Sequence, residues 1–220
     1  MNQRSDNNYY LSIAKQDLAA LDAARFDGPI IVVDTAEKAD AALKELRGAD
    51  IIGFDTETRP TFKKGAVNEV ALVQLSTRKK CFLFRINILG LVPQLISLLE
   101  DEAITKVGLS VHDDFHNLHR LAEFEPRGFI DLQHFVKDFK ISDNSLTRIY
   151  AILFGKRISK GQRLTNWEAD TLSPAQKAYA SLDATACVEI YDKLMSGTFN
   201  PADSRFIHYR EEDNTESENK

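Results

Sequence analysis

Short apolar runs bounded by turn residues predict a series of β-strands in the first two thirds of the chain. The runs span residues 30–34, 51–54, 70–76, 81–84, 104–111 and 128–131. Apolar runs of this length are typical of strands that are covered on both faces. The turn "TRKK" between the third and fourth runs favours antiparallel pairing, because parallel neighbours need a longer crossover.

Apolar residues at helical spacing predict helices around and after these strands. The predicted helices span residues 11–25, 36–47, 91–100 and 112–124, and further helices occupy most of the remaining chain. Asp34 and Glu37 stand where a capping pair for the second helix is expected. Strands that alternate with helices in this way predict an α/β fold, with a mixed sheet that is covered by helices on both faces.

The strand at 51–54 runs directly into two carboxylates in the sequence "ADIIGFDTETRP". Asp55 and Glu57 are two residues apart, so they project from the same side of an extended chain. Like charges held this close together cost free energy unless a cation lies between them. The competing interpretation is that the strand has ended and a polar loop has begun, and a single D-x-E pattern does not separate the two.

A third carboxylate, Asp114, stands where a later strand ends and a helix begins. It precedes Leu118 by one helical turn, on the edge of the predicted inward-facing stripe. In α/β proteins this position faces the crevice where ligands bind. The alternative is an ordinary acidic residue in the first turn, which the helix macrodipole favours. That stripe consists of Val111, Phe115, Leu118 and Ala122.

The same helix offers a competing site for zinc. His112 and His116 are four residues apart and His119 follows one turn later, which imitates the H-E-x-x-H zinc helix. Asp113 replaces the glutamate of that motif, and the histidines lie about half a turn around the helix from Asp114. The simpler interpretation is a set of histidines on a partly exposed helix face.

The last long helix carries a fourth carboxylate on its inward side. Ser173, Pro174 and Gln176 form the start of this helix, with a predicted capping box. Tyr179 and Asp183 are four residues apart and therefore share one face. An aspartate on an inward face is costly to ionise unless it is paired or binds a metal. The same face continues as the apolar line Ala186, Ile190 and Leu194.

Together these residues resemble the three motifs of the DEDD exonucleases, in the tyrosine-bearing subgroup that includes ribonuclease D and the Werner syndrome exonuclease domain. The motifs are Asp55-x-Glu57, Asp114 after "KVGLS", and Tyr179-x-x-x-Asp183, with "LTNWEA" shortly before the third. They occur in the family's order over residues 28–195, and none of the four acids is lost. The resemblance implies a ribonuclease H-like fold and removal of nucleotides from a 3′ end as 5′-mononucleotides.

The resemblance also implies a role for each motif residue. Two divalent cations, Mg²⁺ or Mn²⁺, would be held by carboxylates, the hard oxygen ligands that these ions prefer. Asp55 would bridge both ions, and Glu57 and Asp183 would bind the ion that generates hydroxide. Asp114 would bind the second ion, directly or through water, and Tyr179 would orient the attacking water.

Three residues near the third motif are candidates for substrate contact. Trp167 is placed to stack on a base, and Lys160 or Arg163 to hold a phosphate. A tryptophan in the core and exposed cations are equally compatible with the sequence.

Composition limits the partner more than the fold. The chain has 220 residues, of which 43% are hydrophobic and 28% charged, which suits a globular chain with one sizeable core. The net charge of −5 argues against a binder with a broadly basic surface. Five acidic residues lie in the last ten, so the rest of the chain is nearly neutral. Local basic clusters, such as Arg59 with Lys63 and Lys64, therefore remain candidates for phosphate contact.

We predict three regions along the chain: an N-terminal helical extension at 1–27, an exonuclease domain at 28–198 and an acidic, disordered tail at 199–220. No apolar run approaches the length of a membrane helix and the start lacks a signal-peptide core, so we expect no membrane partner and a cytoplasmic location. The expected partner is a nucleic acid with a free 3′ end. The alternative functions are a non-catalytic nucleic-acid-binding or scaffolding module with the same fold and a zinc hydrolase that uses His112 and His116.

Overall fold

The computed structural model describes residues 8–61 and 68–210 of the chain. Its strands are β1 (Tyr9–Leu11), β2 (Ile30–Val33), β3 (Ile51–Thr58), β4 (Val70–Ser76), β5 (Cys81–Arg85), β6 (Thr105–Gly108), β7 (Phe129–Asp131) and β8 (Ile207–Tyr209). Its α-helices are α1 (Lys15–Ala19), α2 (Ala36–Leu46), α3 (Ile86–Leu89), α4 (Pro93–Leu99), α5 (Val111–Leu118), α6 (Leu132–Phe135), α7 (Leu146–Phe154) and α8 (Pro174–Met195). Two 3₁₀ turns span Val136–Phe139 and Pro201–Asp203.

Six strands form one mixed sheet in the order β2-β5-β4-β3-β6-β7. β4 runs antiparallel to both of its neighbours, β3 and β5, while the pairs β2–β5, β3–β6 and β6–β7 are parallel. The antiparallel pairing expected from the short turn between β4 and β5 is therefore confirmed.

Helices cover both faces of this sheet, which confirms the α/β prediction. α8 and α7 lie on one face, and α2, α4 and α5 lie on the other, so each face of the sheet has its own apolar layer. α8 is buried around much of its circumference from Ala180 to Val188, because it packs between the sheet and α7. None of the helices in the described ranges is long and apolar enough to cross a membrane.

Strand positions agree with the sequence pattern better than helix ends do. β4 occupies the predicted residues, and the predicted capping box of α8 is present, with both Ser173 and Gln176 hydrogen bonded. α5 ends at Leu118 rather than near 124, because the chain turns there and the His119 ring bonds to the Phe124 carbonyl. The capping pair predicted for α2 is wrong.

Thr35, rather than Asp34, caps α2: its hydroxyl accepts a hydrogen bond from the Lys38 amide at 3.3 Å. The Asp34 carboxylate instead accepts from the Lys38 ammonium at 2.6 Å, as an exposed ion pair. The sequence could not distinguish Asp34 from Thr35 as the N-cap, because Asp and Thr are both favoured at that position and the two residues are adjacent.

The two ends of the described chain pair with each other, which corrects two predictions. The helix predicted at 11–25 is wrong, since Leu11 ends strand β1 and only five residues, Lys15–Ala19, form α1. Residues 199–210, predicted as the start of a disordered tail, contain a 3₁₀ turn and β8, which pairs antiparallel with β1. Leu11 is fully buried between these elements, and a contact so distant in sequence has no local signal. The acidic residues 211–220 lie outside the described residues.

Gly53 allows α8 to approach β3 very closely. A Cβ atom at Gly53 would lie 1.9 Å from the Ala184 carbonyl oxygen, a distance that real side chains do not tolerate. The Ser76 and Thr185 hydroxyls, 2.9 Å apart, form a further link between the sheet and this part of α8. Glycine at this position therefore sets the distance between the end of β3 and the helix that carries Tyr179.

We predict that Gly53→Ala destabilises the protein by about 3 kcal/mol or more, because α8 must move away from β3 to admit the methyl group. Thermal unfolding should show Tm falling by about 6–12 °C. Gly48→Ala is the matched control, since a Cβ there meets only the Glu45 carbonyl oxygen at 3.4 Å. Equal Tm values for the two variants would contradict the close approach of α8.

Candidate active site

Three carboxylates meet where the end of β3 faces α8. Asp55, Glu57 and Asp183 each place a carboxylate oxygen within 4.8 Å of the others. Asp55 and Glu57 share one face of β3 because side chains two residues apart in a strand point the same way. The expected convergence of these acids is therefore present, and the carboxylates belong to the strand itself rather than to a loop.

The sheet opens beside these carboxylates. β3 pairs with β6 only from Ile51 to Gly53, whereas its pairing with β4 continues to Thr58. The half of β3 that carries Asp55 and Glu57 consequently has a strand on one side only. A crevice forms where β3 and β6 part, the place at which α/β sheets commonly bind ligands.

Asp114 reaches this crevice from α5 and approaches the opposite face of β3. Thr56, which alternates with Asp55 and Glu57, donates a hydrogen bond from its hydroxyl to the Asp114 carboxylate. Asp114 is not one of the three acids whose ligand atoms lie within 4.8 Å of one another. Its charge nevertheless contributes to raising the pKa of Glu57, and the charge of Asp55 in turn raises the pKa of Asp114.

Asp131 fixes the start of α5. Its carboxylate accepts hydrogen bonds from the amides of Ser110 at 3.0 Å, Val111 at 3.2 Å and Gln133 at 2.9 Å. Ser110 has φ = 60°, a left-handed conformation that non-glycine residues rarely adopt without such support. Asp131 therefore joins the end of β7 to the first turn of the helix that carries Asp114.

Tyr179 lies one turn before Asp183 on α8, and its hydroxyl favours the charged form of the Asp183 carboxylate. Burial, followed by the negative charges of Asp183 and Glu57, raises the pKa of the Tyr179 phenol far above its usual range. The hydroxyl is therefore protonated at neutral pH and can both donate and accept hydrogen bonds in the cleft that it lines.

A cleft of about 340 Å³ lies over these groups. Asp55, Glu57, Tyr179 and Asp183 line one part of it, and the loop after α7 contributes two cations on another part. These cations are Lys160 and Arg163. The cleft thus combines a concentrated negative charge with nearby positive groups, as a site for a cation and an anionic ligand together requires.

Burial raises the pKa values of all four acids. Desolvation is the first cause in each case, and mutual repulsion adds to it for Asp55, Glu57 and Asp114. The pKa of Glu57 rises to about 9 and that of Asp114 to about 8. The pKa of Asp183 rises less, to about 7, because Tyr179 and Lys160 favour its charged form.

A divalent cation is the ligand that this arrangement fits. The converging donors are carboxylate oxygens, the hard ligands that Mg²⁺ and Mn²⁺ select. In the absence of a cation the same donors repel one another, which adds to burial as a cause of their raised pKa values. The donor chemistry and the electrostatics therefore agree.

The histidines of the competing zinc hypothesis lie apart from this cluster. His112 and His116 are both exposed on the outer face of α5. Within the described ranges, the group of three ligating side chains at the carboxylates contains neither histidine.

The candidate substrate contacts divide into two groups. Lys160 and Arg163 line the cleft, as their predicted role requires. Trp167 is fully buried among Leu72, Leu83 and Ala180, so it has no free face on which a base could stack, and that prediction is wrong. The tryptophan instead packs 6.0 Å from Tyr179, between ring centroids, and supports the tyrosine from behind.

Of the basic cluster after β3, Arg59 forms an ion pair with Glu168 at 3.2 Å, so its charge is already partly satisfied. Lys63 and Lys64 lie outside the described residues.

The sequence alone did not identify Thr56, which donates a hydrogen bond to Asp114, or Asp131, which fixes the start of the helix that carries Asp114. A signal for Asp131 existed, because an aspartate directly before an apolar helical segment is a typical N-cap. Nothing local could show that its second oxygen reaches α5, 20 residues earlier.

Comparison with known proteins gives a consistent family. A family model described as 3′-5′ exonuclease matches residues 30–198. The bifunctional 3′-5′ exonuclease/ATP-dependent helicase WRN of Mus musculus is 34% identical over 155 residues, which cover 68% of this chain and 11% of the mouse protein. The chain therefore spans only a small part of the length of that relative.

Solved structures show the same fold. The Nibbler EXO domain of Aedes aegypti has a TM-score of 0.71 and 24% identity, and the match covers 82% of this chain and 96% of that domain. Trypanosoma brucei RNase D, in its complex with RNA U12, has a TM-score of 0.69 and 25% identity, with 80% and 65% of the two chains covered. These likenesses confirm the ribonuclease H-like fold that the motifs implied.

We predict that the metal-free protein becomes less stable as pH rises from about 5 to about 8. The acids of the cluster have folded-state pKa values above their unfolded ones, so the folded state binds more protons in this window and loses stability as they leave. Lys106, whose pKa is lowered to about 8 by burial, has the opposite effect only at higher pH. Tm in EDTA, measured across this range, checks the sign.

Asp183→Asn provides the control for that experiment. Removing one of the crowded charges should raise Tm in EDTA at about pH 8 relative to the unsubstituted protein. Mn²⁺ or Mg²⁺ should raise Tm of the unsubstituted protein more than that of the variant, because the variant lacks one ligand. A Tm that rises with pH in EDTA, or an equal effect of the ions on both proteins, would contradict the crowding of ionised acids.

Proposed function

Since this chain belongs to the 3′–5′ exonuclease family, we propose that it hydrolyses the terminal phosphodiester bond at the 3′ end of a nucleic acid strand and releases 5′-mononucleotides. The observation that carries the proposal is the convergence of Asp55, Glu57 and Asp183 within 4.8 Å in a cleft that Tyr179 also lines. The arrangement of four acids and a tyrosine supports assignment to the tyrosine-bearing subgroup.

Two Mg²⁺ or Mn²⁺ ions, when bound, would supply a nucleophile that ionises near neutral pH and stabilise charge on the leaving oxygen. Asp55 is the residue suited to contact both ions, because its charge interacts both with the Asp183 carboxylate on α8 and with the Asp114 carboxylate on α5. Glu57 and Asp183 would hold the ion on the α8 side. Asp114 would hold the other, with its orientation fixed by the Thr56 hydroxyl.

Tyr179 positions the attacking water. Its phenol stays protonated and lines the cleft beside Asp183, where its hydroxyl can hydrogen bond to a water. Holding a nucleophile in line with the scissile bond removes much of the entropic part of the barrier. Trp167 packs behind the phenol and restricts its movement.

Lys160 and Arg163 are suited to hold the scissile or neighbouring phosphate. Both line the cleft, and their charges already act on the cluster, since Lys160 lowers the pKa of Asp183 and Arg163 lowers that of Glu57. A phosphate bound there would lie beside the carboxylates, and the two cations would offset the repulsion between them.

The alternative is a module that binds nucleic acid without cleaving it. Asp55, Glu57 and Asp183 converge and Tyr179 lines the same cleft, which supports the enzyme over the module. An assay of end-labelled RNA, single-stranded DNA and recessed duplex DNA side by side identifies the substrate class. The release of 5′-mononucleotides from any one of them, dependent on Mg²⁺ or Mn²⁺, distinguishes the enzyme from the module.

We predict that digestion proceeds from the 3′ end and depends on Asp55. A strand labelled at its 5′ end should give a descending ladder, and a bulky group on the 3′ hydroxyl should stop digestion. EDTA and Asp55→Asn should each abolish turnover, because Asp55 contributes to both cation positions. Cleavage of closed circular strands would indicate an endonuclease, and full activity of Asp55→Asn would refute the mechanism.

Tyr179→Phe separates a positioning role from a packing role. The ring and its contact with Trp167 remain, so Tm should stay close to that of the unsubstituted protein. Loss of the hydroxyl should lower kcat by on the order of 10²-fold, because the water loses its orienting partner. The Mn²⁺ concentration that half-saturates the Tm shift should be unchanged. A fully active, folded Tyr179→Phe would make the tyrosine a packing residue only.

A further inference from the structure

A second concave surface lies beside the catalytic cleft, and we name it the ribbon pocket. It has a volume of about 480 Å³ and is formed by the β1–β8 ribbon and the segment around the 3₁₀ turn Val136–Phe139. Asn144 lines both this pocket and the catalytic cleft, so the two are neighbours. The residues on which the argument depends are Tyr9, Tyr10, Lys137, Lys140, Asn144 and Arg210.

The described residues that line the ribbon pocket include three cations. Lys137, Lys140 and Arg210 line it, and none of the acidic residues that the structure describes does. Among the described residues, no carboxylate lies within ion-pair distance of Lys137 or Arg210. The carboxylate of Asp143, the acid next to Asn144 in sequence, forms an ion pair with Arg148 at 3.0 Å and accepts a hydrogen bond from the Ile13 amide at 2.9 Å.

Aromatic rings flank these cations. Tyr10 and His208 face each other across the ribbon as stacked rings 5.5 Å apart, and Tyr9 meets Tyr209 edge to face at 6.4 Å. Tyr9 and Tyr10 line the ribbon pocket and are partly exposed, and Tyr209, which pairs with Tyr9 outside the pocket lining, is 57% exposed. Cations combined with partly exposed rings are the chemistry that binds single-stranded nucleic acid, with phosphates on the cations and bases on the rings.

Backbone hydrogen bonds hold the ribbon against the rest of the molecule. The Leu11 amide donates to the Lys140 carbonyl at 2.8 Å, and the Ser142 amide donates to the Leu11 carbonyl at 3.0 Å. Lys140 has φ = 63°, and its ammonium lies 5.9 Å from the centre of the Tyr9 ring. The charged groups are therefore presented on an ordered surface, which reduces the entropic cost of binding.

We propose that the ribbon pocket binds the segment of a single-stranded nucleic acid that lies 5′ to the nucleotide being removed. The strand passes from the carboxylates over Asn144 to the cations of the ribbon. The direction of the strand rests on the proposed exonuclease function, whereas binding of a single strand to the pocket does not. The consequence is a substrate-length preference: strands long enough to reach the ribbon bind more tightly than a dinucleotide, which reaches only the cleft.

The test uses the double variant Lys137→Gln/Arg210→Gln, in which two charges are removed and side-chain length is approximately kept. Lys44→Gln/Arg120→Gln is the matched control, because both of its residues are exposed, lie outside the two pockets and remove the same charge. Binding of a labelled single strand of about 12 nucleotides is measured by fluorescence anisotropy in EDTA, over a range of salt concentrations. Hydrolysis of that strand and of a dinucleotide is measured separately with Mn²⁺.

The ribbon variant should raise Kd for the strand about tenfold and reduce the slope of log Kd against log salt by about 1.4, the value for two lost phosphate contacts on a single strand. Its KM for the strand should rise while kcat, and kcat/KM for the dinucleotide, stay unchanged. The control pair should change none of these values.

Unchanged Kd in the ribbon variant, or equal losses in the control, would overturn the proposal. Competition by polyglutamate of matched charge that equals competition by the strand would also overturn it, since the pocket would then bind any polyanion. If the unsubstituted protein hydrolyses nothing but the anisotropy results are as expected, the exonuclease function fails and the ribbon pocket stands. If hydrolysis is normal and Kd is unchanged in the ribbon variant, the exonuclease function stands and the ribbon pocket fails.

Discussion

Electrostatic repulsion among the four acids at the end of β3 opposes the packing that creates the site. Desolvation and mutual repulsion raise the pKa values of Asp55, Glu57 and Asp114, so the charged forms are disfavoured in the folded protein without a cation. Replacing such acids by neutral side chains would raise the free energy of unfolding. Because the acids lie on three separate elements, the packing of those elements must offset the repulsion. A bound cation converts this cost into a binding energy.

The fold offsets the repulsion by fixing each acid from its own direction. β3 lies inside the sheet, paired with β4 along its whole carboxylate-bearing half. Gly53 has no side chain, so α8 can pack directly against β3. The apolar layers on both faces of the sheet bury the side chains that stabilise this packing. Asp131 and Thr56 then orient α5 and Asp114 with directional hydrogen bonds. Rigid supports of this kind keep like charges together where a flexible loop would let them separate.

The sequence predicts which elements carry Asp55, Glu57 and Asp183, because each of these elements has a strong local pattern. The apolar run before Asp55 and the capping box before Tyr179 fix the strand and the helix, and the two-residue and four-residue spacings then fix which side chains share a face. Hydrogen bonds between distant segments have no such pattern. Those that Asp131 makes with the start of α5, and the pairing of the two chain ends, depend on the assembled sheet, so only the structure reveals them.

The burial of Trp167 also could not be predicted from the sequence alone. Its position near the third motif is compatible with a substrate role or a core role, and only the packing of Leu72, Leu83 and Ala180 around the ring decides between them.

Charge placement connects the catalytic cleft with the ribbon pocket. A nucleic acid strand carries negative phosphates toward a cluster of carboxylates, so in the proposed function the strand and the cations must assist each other's binding. Cations reduce the repulsion that the terminal phosphate meets, and the phosphate adds oxygen ligands for the cations. In the proposed functions, Lys160 and Arg163 would reduce that repulsion inside the cleft, and Lys137 and Arg210 would attract the strand at a distance from the acids. A protein that is acidic overall would then bind a polyanion without a broad basic surface, because the cations that line the two pockets would lie along the proposed path of the strand.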